Sequence, residues 1–115
     1  MNTIERKAAV AAYKERKVAI GIFAVRCLPT GQTWCGRALD LGAIRNRIWF
    51  MLRQNNSRHA GNLANLQAAW NEHGADAFVL EEIERIDDKT LAYVRDRVLK
   101  ERLAYWCAMR NAQAI

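Results

Sequence analysis

Proline is almost missing from this sequence: Pro29 is the only one in 115 residues. No proline-rich spacer, glycine-serine tract or internal repeat divides the chain, which argues against a linker between domains and against a repeat architecture. Long apolar runs are missing too. The longest, Val18 to Val25, has the length of a strand and falls far short of the roughly 20 residues that span a bilayer. The opening stretch, MNTIERKAAVAAYKERK, is charged throughout and lacks the apolar core of a secretory signal. Cysteine is sparse. Cys27, Cys35 and Cys107 form neither an even disulfide set nor a CxxC metal pair. Cys27 and Cys35 sit where a hairpin would bring them face to face, yet in a cytosolic chain the reduced, half-buried thiol is the better reading. These absences predict a cytoplasmic protein with no membrane segment.

What is present fits one domain, residues 1–115. The chain is 51% hydrophobic and 26% charged, the balance of a globular core and not of a disordered tail. Four tryptophans supply large surfaces for a core or for stacking. The net charge is +6, and its distribution is more telling than its size. Six arginines (26, 37, 45, 47, 53 and 58) face a single acid, Asp40, between Arg26 and Arg58, whereas seven acids face only Arg85 between Glu72 and Asp88. Arginine outnumbers lysine thirteen to five. Its planar fork holds phosphate oxygens in pairs, where lysine acts as a point charge. A basic segment set against an acidic one suits a polyanionic partner, and equally a solvated basic surface.

Hydrophobic periodicity and turn chemistry give the elements. Residues 3–16 read as a helix capped by Thr3, with Glu5 in the first turn. Val18–Val25 is a β-run, Leu28-Pro-Thr-Gly-Gln32 a turn, and Thr33–Gly36 the returning strand, because proline presets φ and glycine accepts φ > 0. Asp40 caps a helix to about Asn55 with Leu41, Ile44, Ile48, Met51 and Leu52 on one face. Arg45 and Arg47 flank that stripe, and Arg53 points away from it. A polar loop, Asn55 to His59, leads to a second helix with Leu63, Leu66 and Trp70 inward, ended by His73-Gly74. Asp76–Ile83 reads as a third strand. A last long helix begins at Ile86, with Leu91, Val94, Val98, Tyr105 and Met109 on its apolar face. The order α-β-β-α-α-β-α predicts an α/β (α+β) fold in which helices flank a small three-stranded, mainly antiparallel sheet.

Within that order stand motifs that resemble the GIY-YIG nuclease family. Gly21-Ile22-Phe23 matches the family's opening Gly-Ile-Tyr, and Trp34-Cys35-Gly36 its second motif, Tyr-Ile-Gly or Tyr-Val-Gly. The following helix offers Arg47, with Arg45 as the alternative, for the family's arginine. Leu66-Gln67, Trp70, Gly74 and Phe78 match a run leading into the third strand, and Glu101 ahead of Tyr105-Trp106 is the candidate glutamate. The match covers about residues 18–106; each tripeptide is weak alone, and the ordered set is the specific signal.

The resemblance implies a divalent-metal-dependent endonuclease acting on DNA in repair or processing, as a homo-oligomer or within a larger complex. Glu101 would hold one Mg²⁺ or Mn²⁺ ion, and Arg47 would clamp the scissile phosphate. Phe23 and Trp34 would occupy the positions of the family's tyrosines, although neither carries the hydroxyl that takes part in activating water. Gly21 and Gly36 mark close backbone approaches within strands. Arg37, Arg45, Arg53, Arg58 and His59 are the candidate nucleic-acid contacts. Arg102, on the last helix, is either an ion-pair partner or a second phosphate contact. Loss of both motif hydroxyls leaves a second reading open, a binding module that keeps the fold without the chemistry.

Overall fold

The computed structural model describes residues 18–55, 59–86 and 92–115; the helix expected over 3–16 lies outside them, as do Arg58 and Leu91. Strands β1 (Ile20–Cys27) and β2 (Thr33–Ala38) form the expected hairpin. Its turn closes through Gly31 N–H donating to Cys27 O at 2.8 Å and Cys27 N–H to Gln32 O at 2.9 Å. Gly31 supplies the positive φ of 75° that the turn needs. Helix α1 (Leu41–Arg53) starts where Asp40 Oδ1 accepts from Ala43 N–H at 3.2 Å, which satisfies an otherwise orphan donor of the first turn. Helix α2 (Gly61–His73) stops at Gly74, whose φ of 84° ends the helical run. A single 3₁₀ turn, Ala75–Ala77, leads into β3 (Phe78–Ile86), and α3 (Ala92–Arg110) precedes a two-residue β4 (Gln113–Ala114).

The sheet has the order β3-β1-β2-β4. β1 lies antiparallel to both β2 and β3, and β4 lies parallel to β2 at the far edge. The fourth strand is an addition to the expected three; two residues are too few for an alternating pattern to announce. Ile86 closes β3 and does not open the last helix as its sequence position suggested.

Strand register divides the sheet into two faces, because paired residues point the same way. Phe23 pairs with Gly36, Val25 with Trp34 and Leu80, and Cys27 with Phe78. This face packs on α1 and α2 through Leu41, Ile44, Ile48, Leu52, Leu66, Ala69 and Trp70. On the other face lie Ile22, Ala24, Cys35, Arg37, Glu81 and Glu84, again by pairing. Here α3 docks. Glu84 Oε1 accepts from Arg102 Nε at 2.7 Å and from Trp106 Nε1 at 2.9 Å, Glu81 pairs with Arg110, and Cys35 meets Cys107. Cys27 and Cys35 therefore point to opposite faces, so the cross-hairpin facing does not occur, and both are free thiols. Burial and the neighbouring Cys107 push the Cys35 thiol up to about 11, which keeps it protonated and unreactive.

The inward side of α3 differs from the apolar stripe read in the sequence. Leu99 is buried, while Tyr105 and Met109 are exposed. Arg102 is an ion-pair partner of Glu84. The helix is oriented by polar contacts from β3, which hydrophobic spacing does not reveal.

Two close approaches fix the sheet. A Cβ on Gly21 would collide with the carbonyl oxygen of Glu84, beside the register shift between Ile22 and Phe23. A Cβ on Gly36 would stand 2.5 Å from Cζ of Phe23 and 3.3 Å from Cγ1 of Ile115. We expect Gly36→Ala to cost about 1–3 kcal/mol by overpacking, measured by urea unfolding, and to cost less in a Phe23→Leu background that withdraws the ring. Burial raises the Glu84 carboxyl, but hydrogen bonds from Arg102 and Trp106 and the Arg102 charge outweigh it, leaving it below its ordinary 4.5. Since the folded value is the lower one, its stabilisation is complete above pH 4.5 and is lost as pH falls through the folded value. Glu84→Gln should lower stability by about 1 kcal/mol at pH 7, with the difference closing below pH 4.5; a constant difference across that range would contradict the assignment.

Candidate functional site

The two helical layers lie on opposite faces of the sheet and approach each other at the end of β2. A cleft of about 370 Å³ opens there between α1 and α3. Ala38, Ile44, Ile48 and Leu99 line it with apolar surface; Arg37, Asp40, Arg47 and Asp96 line it with charge; Leu39 completes the lining. The α1 sequence explains the mixture. Ile44 and Ile48 turn into the core one helical turn apart, so Arg47 rides at the edge of that stripe and reaches the opening.

Charge in the cleft is partly satisfied. Arg37 Nη1 donates to Asp96 Oδ1 at 2.6 Å, and Lys100 Nζ lies 3.1 Å from Asp96 Oδ2. The hydrogen bond from Lys100 and the charge and hydrogen bond of Arg37 hold the Asp96 carboxyl below the usual range, against the opposing cost of desolvation. Asp40 is committed to its capping bond. Arg47 has no ion pair among the described residues, and it is the guanidinium left to meet a ligand.

The other sequence candidates are dispersed. Arg45 Nη2 donates to the Leu80 carbonyl at 3.0 Å, tying α1 to the outer strand, in a smaller hollow of about 270 Å³ with Asn46 and Glu82. Arg53 is exposed in the last turn of α1. His59 is half-buried, with Nε2 unpartnered among the described residues. Phe23 and Trp34 are 2% and 0% exposed, held in the layer beneath α1 and α2, where they touch no surface a substrate could reach. The Trp34 indole N–H has no acceptor there among the described residues.

Glu101 was expected to look into a cleft. Its side chain is 68% exposed and stands 4.0 Å from Arg97 in an i,i+4 pair, and it lines neither hollow. Two residues after the buried Leu99, it falls about 200° around the helix and faces solvent. Among the described residues no three metal-ligating side chains come together. Glu101 stands as a lone carboxylate at the surface beside Arg97, and both oxygens of Asp96 are engaged by Arg37 and Lys100. Sequence reasoning missed Asp96 and Lys100. Their i,i+4 spacing is legible, but the partner that gives it meaning, Arg37, is 59 residues distant.

The structure is similar to the catalytic domain of the homing endonuclease I-TevI, with a TM-score of 0.66 and 20% sequence identity over 84% of this chain and 97% of that one. A point mutant of the catalytic domain of the intron endonuclease I-TevI superposes with a TM-score of 0.64 and 20% identity, over 81% of this chain and 84% of that one. No family model and no curated protein matches the sequence. The fold is thus that of the GIY-YIG catalytic domain, a mixed α/β sheet flanked by helices. No helix among the described residues is long and apolar enough to cross a membrane.

Proposed function

We propose that this chain is a nucleic-acid-binding domain built on an endonuclease fold, and that it seats a backbone phosphate of DNA in the cleft between Arg37 and Arg47. The observation that carries this reading is the placement of Arg47 at an arginine-lined opening, with no ion pair among the described residues. Guanidinium groups grip phosphate oxygens in pairs, and the gain from releasing counterions makes such binding strongly salt-dependent. Asp96 tempers the site: it draws Arg37 and Lys100 to itself, and an entering phosphate must compete with it.

A second reading is phosphodiester hydrolysis in the same cleft by a metal-dependent endonuclease, serving DNA repair or processing. It is favoured by the extent of the likeness, 97% of a catalytic domain. Arg47 would then stabilise charge developing on the phosphoryl oxygens. Mg²⁺ or Mn²⁺ would supply an activated water if bound, but Glu101 faces away and the motif positions carry no hydroxyl. Binding is therefore placed first.

Fluorescence anisotropy with labelled DNA across a salt series, together with cleavage assays in Mg²⁺, Mn²⁺ or EDTA, separates the two. We expect affinity to fall steeply with salt, and Arg47→Ala to weaken binding several-fold and reduce the salt slope by about one. Asp96→Asn should tighten binding by freeing Arg37 and Lys100, with no strand cut in any metal. Metal-dependent cutting that Glu101→Ala abolishes would overturn this order and install the hydrolytic reading. Absence of binding even at low salt would remove both.

A further inference from the structure

Tyr93 is 82% exposed, more than any other large apolar or aromatic side chain among the described residues. No contact among the described residues accounts for it. Tyr105, by contrast, stacks edge-on against Trp106 at 5.2 Å between ring centroids and lies beneath the Arg102 guanidinium at 4.4 Å. Tyr93 occupies the first turn of α3, three residues before Asp96 and six before Leu99. Side chains three apart stand on one side of a helix, about 5–6 Å between Cβ atoms. Asp96 lines the cleft, and Tyr93 stands one helical turn N-terminal to it, outside the lining itself and about 120° around the helix from the buried Leu99. Leu39, 65% exposed, lines the same opening.

We infer that Tyr93 is a stacking platform for an unpaired nucleobase next to the phosphate seat, so that the cleft takes single-stranded or splayed nucleic acid in preference to intact duplex. The inference rests on the phosphate-binding reading above and adds the substrate's form. In a duplex both faces of each base are covered by its neighbours, and an aromatic ring on the protein has nothing to stack on. In a single strand the base faces are open, and a cationic groove beside an aromatic ring holds phosphate and base together. Arg47 and Arg37 supply the cation and Tyr93 the ring. Leu39 offers apolar contact to the sugar or base edge. Stacking reads no hydrogen-bond pattern, so the site discriminates strandedness and not sequence.

The test compares a short labelled oligothymidylate, the same strand with abasic sites, and a blunt hairpin duplex at one salt concentration. Wild type should bind the intact strand more tightly than the other two. Tyr93→Ala should lose roughly tenfold for the intact strand, change little for the abasic strand or duplex, and keep its salt slope, whereas Tyr93→Phe should bind as wild type. Because Tyr93 is exposed, the variants should melt with wild type. Equal losses on all three probes, or no loss on any, would overturn the stacking role. If Arg47→Ala leaves binding intact while Tyr93→Ala selectively weakens the intact strand, the phosphate seat fails and the platform stands; the reverse pattern keeps the seat and removes the platform.

Discussion

The described residues are arranged around a central strand that is buried on both sides. Every residue of β1 is buried except Arg26. An antiparallel strand usually has one wet face and reads as alternating polar and apolar. Here Phe23, Val25 and Cys27 enter one core while Ile22 and Ala24 enter another. The cost of such a strand is that its neighbours must come close, which is why glycine stands at 21 and 36, where a methyl group would strike the Glu84 backbone or the Phe23 ring. The location of the cleft follows. Side chains of α3 lie across the sheet from Phe23 and Trp34, and a functional group on α3 meets one on α1 only past the end of β2, where no strand separates them. Arg37, Arg47 and Asp96 meet at that end.

The charge pattern has a related logic. Within the acidic stretch the three glutamates of β3 are each paired with an arginine. Glu81 pairs with Arg110 and Glu84 with Arg102 across to α3, and Glu82 pairs with Arg85 along β3 itself. The two contacts to α3 are partly solvated and individually modest, and with the buried Leu99 they mark the side of α3 that meets the sheet. Arginines of the first half are less consumed. Arg45 serves the fold by holding Leu80 O, and Arg37 is shared with Asp96.

Local chemistry was legible in the sequence where one residue type has one structural use. The Pro29–Gly31 turn, the Asp40 cap and the Gly74 stop were all readable, and the motif order led to the right fold. Two things were not readable. The facing of α3 depends on Glu84, Arg102 and Trp106, contacts 18 and 22 residues apart in sequence that no periodicity encodes. The site residues could be named individually, but whether Arg47 and Glu101 share a cleft depends on that same rotation. With Leu99 inward, Glu101 is carried to solvent and Asp96 into the opening.

The two motif positions that the resemblance pairs with tyrosines lie deep in the core. Trp34 lies 6.4 Å from Phe78, and Phe78 in turn lies 5.4 Å from Trp70, between ring centroids; with Phe23 they form a continuous aromatic layer under α1 and α2. A hydroxyl placed in that layer without a partner would cost about 1–3 kcal/mol, and none is present on either motif residue. Phe23 brings no polar atom into that layer, whereas Trp34 brings an indole N–H that finds no acceptor among the described residues. Both positions that the resemblance pairs with tyrosines are therefore core positions in this fold. An arginine cannot enter that layer without a buried counter-charge, and Arg47 stands instead at the opening of the cleft.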